Sequence, residues 1–144
     1  MSTLTLKANT TSHILSGALA GLIGGAVFGM LMAMMGMLPM VGKLVGQENT
    51  IVGLIVHLAI SAIIGAIYAV AAVRLPVGWL PAVLAGMANG VVWWVLGALV
   101  LMPLGLGMPQ MVFALGMTQW MSLMGHLIFG VVTALALAPV HKRI

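Results

Sequence analysis

Polar residues are sparse in this chain, and they punctuate long apolar runs. Charged side chains are absent from 13–40, 51–73, 77–103 and 118–140. Each run matches or exceeds the ~20 residues that a helix needs to cross the hydrocarbon of a bilayer. The pattern predicts an all-α protein, a four-helix transmembrane bundle forming a single integral membrane domain over 1–144. The first run is far longer than the ~7–15 residues of a secretory signal core, so it is expected to remain as the first span.

The runs are related in pairs. "LAGLIGGAVFGMLMAMMGM" (19–37) aligns without gaps on "LAGMANGVVWWVLGALVLM" (84–102), matching Gly21 with Gly86, Gly25 with Gly90, Leu31 with Leu96 and Met37 with Met102. Each copy is followed by a proline-to-glycine connector of equal spacing, Pro39 to Gly46 and Pro109 to Gly116, and then by a run holding one histidine. Two helical hairpins are therefore expected, repeat 1 over 13–74 and repeat 2 over 77–140. Units of two spans enter from the same side, which makes this a parallel repeat about an axis along the membrane normal. Helices 1 and 3 are expected to end at Pro39 and Pro103, and Thr50 and Thr118 to cap helices 2 and 4.

Composition agrees with a bilayer setting: 63% of residues are hydrophobic and 4% charged, with a mean hydropathy of +1.28. The net charge of +4 rests on a few cations. Lys7, Arg74, Lys142 and Arg143 fall on one side of four spans, and Lys43 with the only acid, Glu48, on the other. The positive-inside rule then predicts a multi-pass protein of the cytoplasmic membrane with both termini in the cytoplasm. Scattered cations make no track for phosphates, so nucleic acid is not an expected partner. Cysteine is absent, which removes disulfides, thiolate metal sites and cysteine nucleophiles. General acid–base chemistry needs a titratable group near an acceptor, and with no carboxylate or thiol in the spans the chain is not expected to be an enzyme.

The candidate site is a pair of histidines in oil. His57 and His126 lie about seven to eight residues into helices 2 and 4, roughly 10–12 Å below the helix ends. An imidazole with an unsatisfied nitrogen there costs roughly 2–7 kcal/mol, so each should bond to a serine (Ser61 or Ser122), to a backbone carbonyl, or to the other histidine. Small residues bracket both rings at one-turn spacing: Gly53, His57, Ser61 and Gly65 on one helix, Ser122, His126, Gly130 and Ala134 on the other. That spacing would clear space for a planar macrocycle, and histidine is a common axial ligand of heme iron. Gly53, Ser61, Ser122 and Gly130 are thus candidate cofactor-binding positions around His57 and His126, with heme b or a chlorophyll-type pigment as the candidate cofactor and plain helix packing as the alternative.

The layout resembles the heme-bearing four-helix core of the cytochrome b proteins, in which histidines of the second and fourth helices bind heme and glycines of the first and third make room. The small-xxx-His spacing resembles the pigment site of bacterial light-harvesting polypeptides. "GHLIFG" (125–130) is similar to a segment of small four-span bacterial membrane proteins that have no characterised activity. A b-type core carries two histidines on each ligating helix, and this chain carries one. What the resemblance implies is a non-enzymatic, tetrapyrrole-binding subunit of a membrane complex. Any part in electron transport would need a second centre on a partner.

Methionines suggest a further possibility. Met30 and Met34, and Met117 and Met121, place thioethers one turn apart, as a Cu(I) relay would, although methionine is more often an adaptable apolar filler. A small copper or solute carrier is the third reading. Short connectors leave almost only lipid-facing surface, so homo-oligomers or other membrane subunits are the expected partners besides the bilayer itself. Trp79 and Trp120 read as interfacial anchors, Trp93 and Trp94 as deeper residues, and His13 and His141 as interfacial.

Overall fold

In the computed structural model, which describes the backbone of residues 3–141 and the side chains of 10–138, four helices are long and apolar enough to cross a membrane: Thr10–Met34, Thr50–Ala72, Trp79–Gly105 and Met117–Ala138. They belong to α1 (Thr3–Met34), α3 (Thr50–Ala72), α4 (Trp79–Trp93) and α6 (Met117–His141). Beyond Trp93, α4 continues as a π-helical stretch, Trp94–Leu101, and the short α5, Met102–Gly105. Another short helix, α2 (Leu38–Gly42), fills the connector between α1 and α3. Lys142 and Arg143 lie outside the described residues, as do the side chains of Lys7 and His141.

Helix ends depart from expectation for local reasons. α1 stops before Pro39, because Gly36 takes a left-handed conformation (φ 67°) and the amide of Met37 closes back on Met32 O at 2.9 Å. This is the usual glycine C-cap. Pro39 instead opens α2. The third of the long helices behaves differently, since its span runs through Pro103. Beyond this proline, which has no N–H of its own to donate, the connector folds back so that the amide of Phe113 donates to Leu99 O at 3.1 Å. Phe113 sits at φ 57° to do so. The caps are also displaced: Asn49, not Thr50, caps α3, its side chain accepting from the amides of Ile51 and Val52 at 2.8 and 3.1 Å. Thr118 lies inside the first turn of α6, whose start is tied by Gly116 N–H donating to Gln119 Oε1 at 2.9 Å.

The helices pack as a chain of neighbours. α1 lies along both α3 and α6, and α4 lies along α6, while α3 and α4 form no comparable seam. Glycines set the close approaches. A Cβ on Gly21 would collide with the carbonyl oxygen of Ser61, one on Gly24 with Thr133 Oγ1, and one on Gly65 with Gly17 O. On the other side Gly130 meets Gly86 O, and Gly90 meets His126 O. In lipid no hydrophobic force drives helices together, so such backbone-to-backbone contact is the main source of their packing energy. Outside these seams the surface is apolar, with Leu15, Ile51, Ile63 and Met34 among many exposed side chains, as lipid contact requires. His13 is buried, its Nε2 bonded to Ala69 O near the end of α3 at 2.7 Å.

Enlarging a seam glycine should therefore cost far more than enlarging a free one. Gly86→Ala or Gly21→Ala should destabilise by about 1–3 kcal/mol, whereas Gly97→Ala, whose added Cβ meets nothing within 4 Å, should be neutral or stabilising by up to ~1 kcal/mol. Thermal unfolding of the purified variants in one detergent checks the order, and equal losses at Gly86 and Gly97 would contradict it.

Candidate functional site

Phe28 of α1 packs against both histidines. Its ring centroid is 5.2 Å from that of His57 and 4.9 Å from that of His126, edge-on to both. The ring is only 4% exposed and lies over Gly125, where a Cβ would run into it. The glycine of "GHLIFG" that precedes the histidine is therefore a seat for an aromatic ring from another helix. Nothing in the spacing of histidines announced Phe28; the available signal was an aromatic set among Gly24, Gly25 and Gly29 on a glycine-rich face.

Each histidine finds its partner in the backbone. Nε2 of His57 is 3.0 Å from Gly25 O, across the α1–α3 seam. Nδ1 of His126 is 2.8 Å from Ser122 O, one turn back on its own helix, and 3.3 Å from Ser122 Oγ. Ser61 Oγ donates to His57 O at 2.7 Å, so it braces the helix rather than the ring. Among the described residues, no group of three histidine, cysteine or acidic side chains gathers to hold a metal.

The six residues singled out from sequence separate into two groups. His57, Ser61, Ser122 and His126 line one cavity of about 320 Å³. Gly53 and Gly130 do not. Gly53 packs against the backbone of Leu38 and Gly42 in α2, and Gly130 against Gly86 and Gly90 in α4. The clearance expected above and below a macrocycle is taken up by neighbouring helices at both positions, since glycine serves close packing there.

The cavity occupies the place where α3 and α4 do not meet. Ile60 and Ile64 form its α3 wall, Trp93, Gly97, Ala98 and Leu101 its α4 and π-helical wall, and Phe28 and Phe129 its floor. Met37, Val41 and Leu44 close the end bearing α2, with Thr118 and Gln119 beside them. Ile60 and Leu101 are also exposed, so the mouth lies at the lipid-facing surface. Trp94 is buried in protein, its Nε1–H donating to Gln119 O at 2.9 Å and its ring 5.7 Å from that of Trp120. Of the methionines, Met32, Met37, Met40 and Met102 line the cavity, but Met30, Met34, Met117 and Met121 face outward. The one-turn pairs thus do not converge on the histidines.

A four-span helical architecture of the membrane type, with a polar-centred cleft between its unpacked helices, is the class these features define. The chain matches no family model, no curated protein and no solved structure.

Because Phe28 is buried against both imidazole rings and Gly125, its truncation should be felt strongly. Phe28→Ala should destabilise by about 3–5 kcal/mol, against little change for Met30→Ala on the exposed face of the same helix. Chemical or thermal unfolding in detergent measures both, and a Phe28→Ala variant as stable as Met30→Ala would mean that the ring is not packed as described.

Proposed function

We propose that the protein is a non-enzymatic multi-pass protein of the cytoplasmic membrane, acting as a subunit or accessory of a larger membrane assembly, and that it holds a small molecule in the cleft between α3 and α4. The observation that carries this reading is the convergence of His57 and Ser61 from one hairpin with Ser122 and His126 from the other on a single, otherwise apolar cavity. Ionisable residues inside a membrane are costly and commonly functional. Ligand sites are typically apolar clefts with a few polar groups that fix orientation.

The duplicated hairpin offers a reason for the cleft. Gly21 meets Ser61 as Gly86 meets Gly130, and Gly25 meets Leu58 as Gly90 meets Leu127, so the two hairpins share a contact register, which supports duplication. By the same register the closed α1–α6 seam, with Gly24 and Phe28 facing Gly125, Phe129 and Thr133, corresponds to an α4–α3 seam of Asn89 and Trp93 with Val56, Ile60 and Ile64. Larger side chains replace the glycine at Gly24 and the glycine seat at Gly125, and that seam cannot close in the same way. Duplication followed by loss of two glycines thus accounts for an open flank.

A tetrapyrrole shared by both imidazoles has less support than a smaller ligand, because Phe28 packs against both rings and the flanking glycines are covered. Arg74 lies at the end that carries both termini, while Lys43 is paired with Glu48 at 3.2 Å at the other. The cation excess at the terminal end supports a cytoplasmic placement for it.

Two measurements test the proposal. Gly97→Phe should fill the cleft without disturbing a seam, so small molecules that co-purify with the wild-type protein in mild detergent should be lost from the variant at unchanged thermal stability; identical extracts from both would remove the ligand. For orientation, Lys43→Cys and Arg74→Cys in this cysteine-free chain should give labelling by an impermeant thiol reagent on intact cells at 43 and none at 74. The reverse pattern would invert the topology.

A further inference from the structure

The hydrogen bonds of the two histidines fix which nitrogen of each ring is bare. A carbonyl oxygen only accepts, so a ring nitrogen bonded to one carries the hydrogen, and a neutral imidazole has a single N–H. His57 must then be protonated at Nε2, which faces Gly25 O, and His126 at Nδ1, which faces Ser122 O. A charged ring is disfavoured by its surroundings, since no carboxylate lines the cleft and Glu48 is engaged with Lys43 in an exposed connector. An unpaired charge in an apolar site is expensive. The remaining nitrogens, His57 Nδ1 and His126 Nε2, are therefore lone pairs.

Neither lone pair has a hydrogen-bond partner among the described residues. Neither is sealed in, because the fully buried side-chain polar atoms without a partner are Asn89 Nδ2 and Thr133 Oγ1. Both rings line the same cavity. At its α2 end the character reverses: Gln119 spends its Oε1 on Gly116 N–H, which leaves its amide N–H groups as donors beside the Thr118 hydroxyl. No lysine or arginine lines the cleft, so an anionic headgroup would go unpaired. The volume of about 320 Å³ is of the order of small-molecule sites and much more than an ion requires, and Phe28, Trp93 and Phe129 give it aromatic walls.

Resting on the ligand-binding reading above, we infer that the cleft takes an uncharged, lipid-phase aromatic alcohol of the hydroquinone class, whose hydroxyl donates to His57 Nδ1 or His126 Nε2. A second ring oxygen would accept from Gln119 or Thr118. The ring enters sideways from the bilayer past Ile60 and Leu101. Recognition by bare acceptors selects for the hydroxyl hydrogen itself, because a site built to bond an O–H is left with unpaired buried groups when that hydrogen is missing.

The test compares probes that differ in that hydrogen. Wild-type protein in lipid nanodiscs is titrated with a decyl-substituted hydroquinone, with its dimethyl ether and with Cu(I), followed by calorimetry and by tryptophan fluorescence, for which Trp93 is a reporter in the cavity wall. Saturable hydroquinone binding is expected, with the dimethyl ether at least about tenfold weaker. The double variant His57→Phe, His126→Phe should bring the hydroquinone down to the affinity of the ether and leave the ether unchanged. Its thermal unfolding serves as the fold control, and single His→Gln variants stand in if it is unstable. Ether and hydroquinone binding equally would overturn the donor-selective site while keeping an occupied cleft. Binding of Cu(I) with no hydroxyl-dependent binding would overturn it in favour of imidazole and thioether ligation. No binding of any probe would overturn the inference, and the co-purification result with Gly97→Phe would then decide separately whether the cleft holds anything at all.

Discussion

Backbone contact between helices at glycine is the constraint on which the rest of this structure depends. In water, burying apolar area would hold such helices together; in lipid the tails are as apolar as leucine, and what is left is close van der Waals packing and interhelical hydrogen bonding. Gly17, Gly21 and Gly65 bring α1 and α3 to backbone contact, Gly24 lets α1 reach α6, and Gly86 with Gly130 joins α4 to α6. Between α3 and α4 no glycine makes such a contact, and the cavity lies in that interval. The site is in this sense a property of packing before it is a property of its polar residues.

Polar groups inside the bundle are costly unless partnered without the help of water, and although Asn89 Nδ2 and Thr133 Oγ1 have no partner, each histidine within it secures one ring nitrogen. His13 and His57 both do so by reaching across the α1–α3 seam to a carbonyl, at Ala69 and Gly25. His126 instead turns back to Ser122 on its own helix. That difference changes which ring nitrogen is left bare, although the two histidines stand in matching runs of sequence. The equivalence suggested by their spacing is therefore one of position and not of chemistry. Phe28 packs edge-on against both rings, and each imidazole is bonded to a backbone carbonyl rather than to the other histidine.

The existence of four long helices could be read from the charge-free runs, and the prominence of His57 and His126 from their isolation in them. Their gathering with Ser61 and Ser122 at one cavity was foreshadowed by the repeat. What could not be read was the use made of each small residue. Gly53, Gly97 and Gly130 look alike in sequence, yet Gly53 is pressed on α2, Gly130 on α4, and Gly97 faces open space. A glycine records that something comes close without saying whether it is a ligand or another helix. Local turn chemistry was ambiguous for a similar reason: Asn49 and Thr50 are both good caps and adjacent, and Gly36 and Pro39 are both good terminators, with the left-handed glycine acting first.

The π-helical stretch Trp94–Leu101 links the helix end to the cleft. π-helical turns are rare and gather at functional sites. Here the stretch leads into Pro103, and the connector beyond it folds back so that the amide of Phe113 donates to Leu99 O. An eight-residue departure from α-helical winding changes which side chains face α3 beyond Trp93, and Gly97 and Ala98 come to the cavity wall along with Leu101. In the matching part of α1 the winding stays regular, and Met32, the counterpart of Gly97 in the alignment, is buried in the core. Where α1 carries the packed thioether of Met32, the third span carries a bare glycine, Gly97, on a rewound stretch. The small residues Gly97 and Ala98 on this rewound stretch leave the interval between α3 and the third span open.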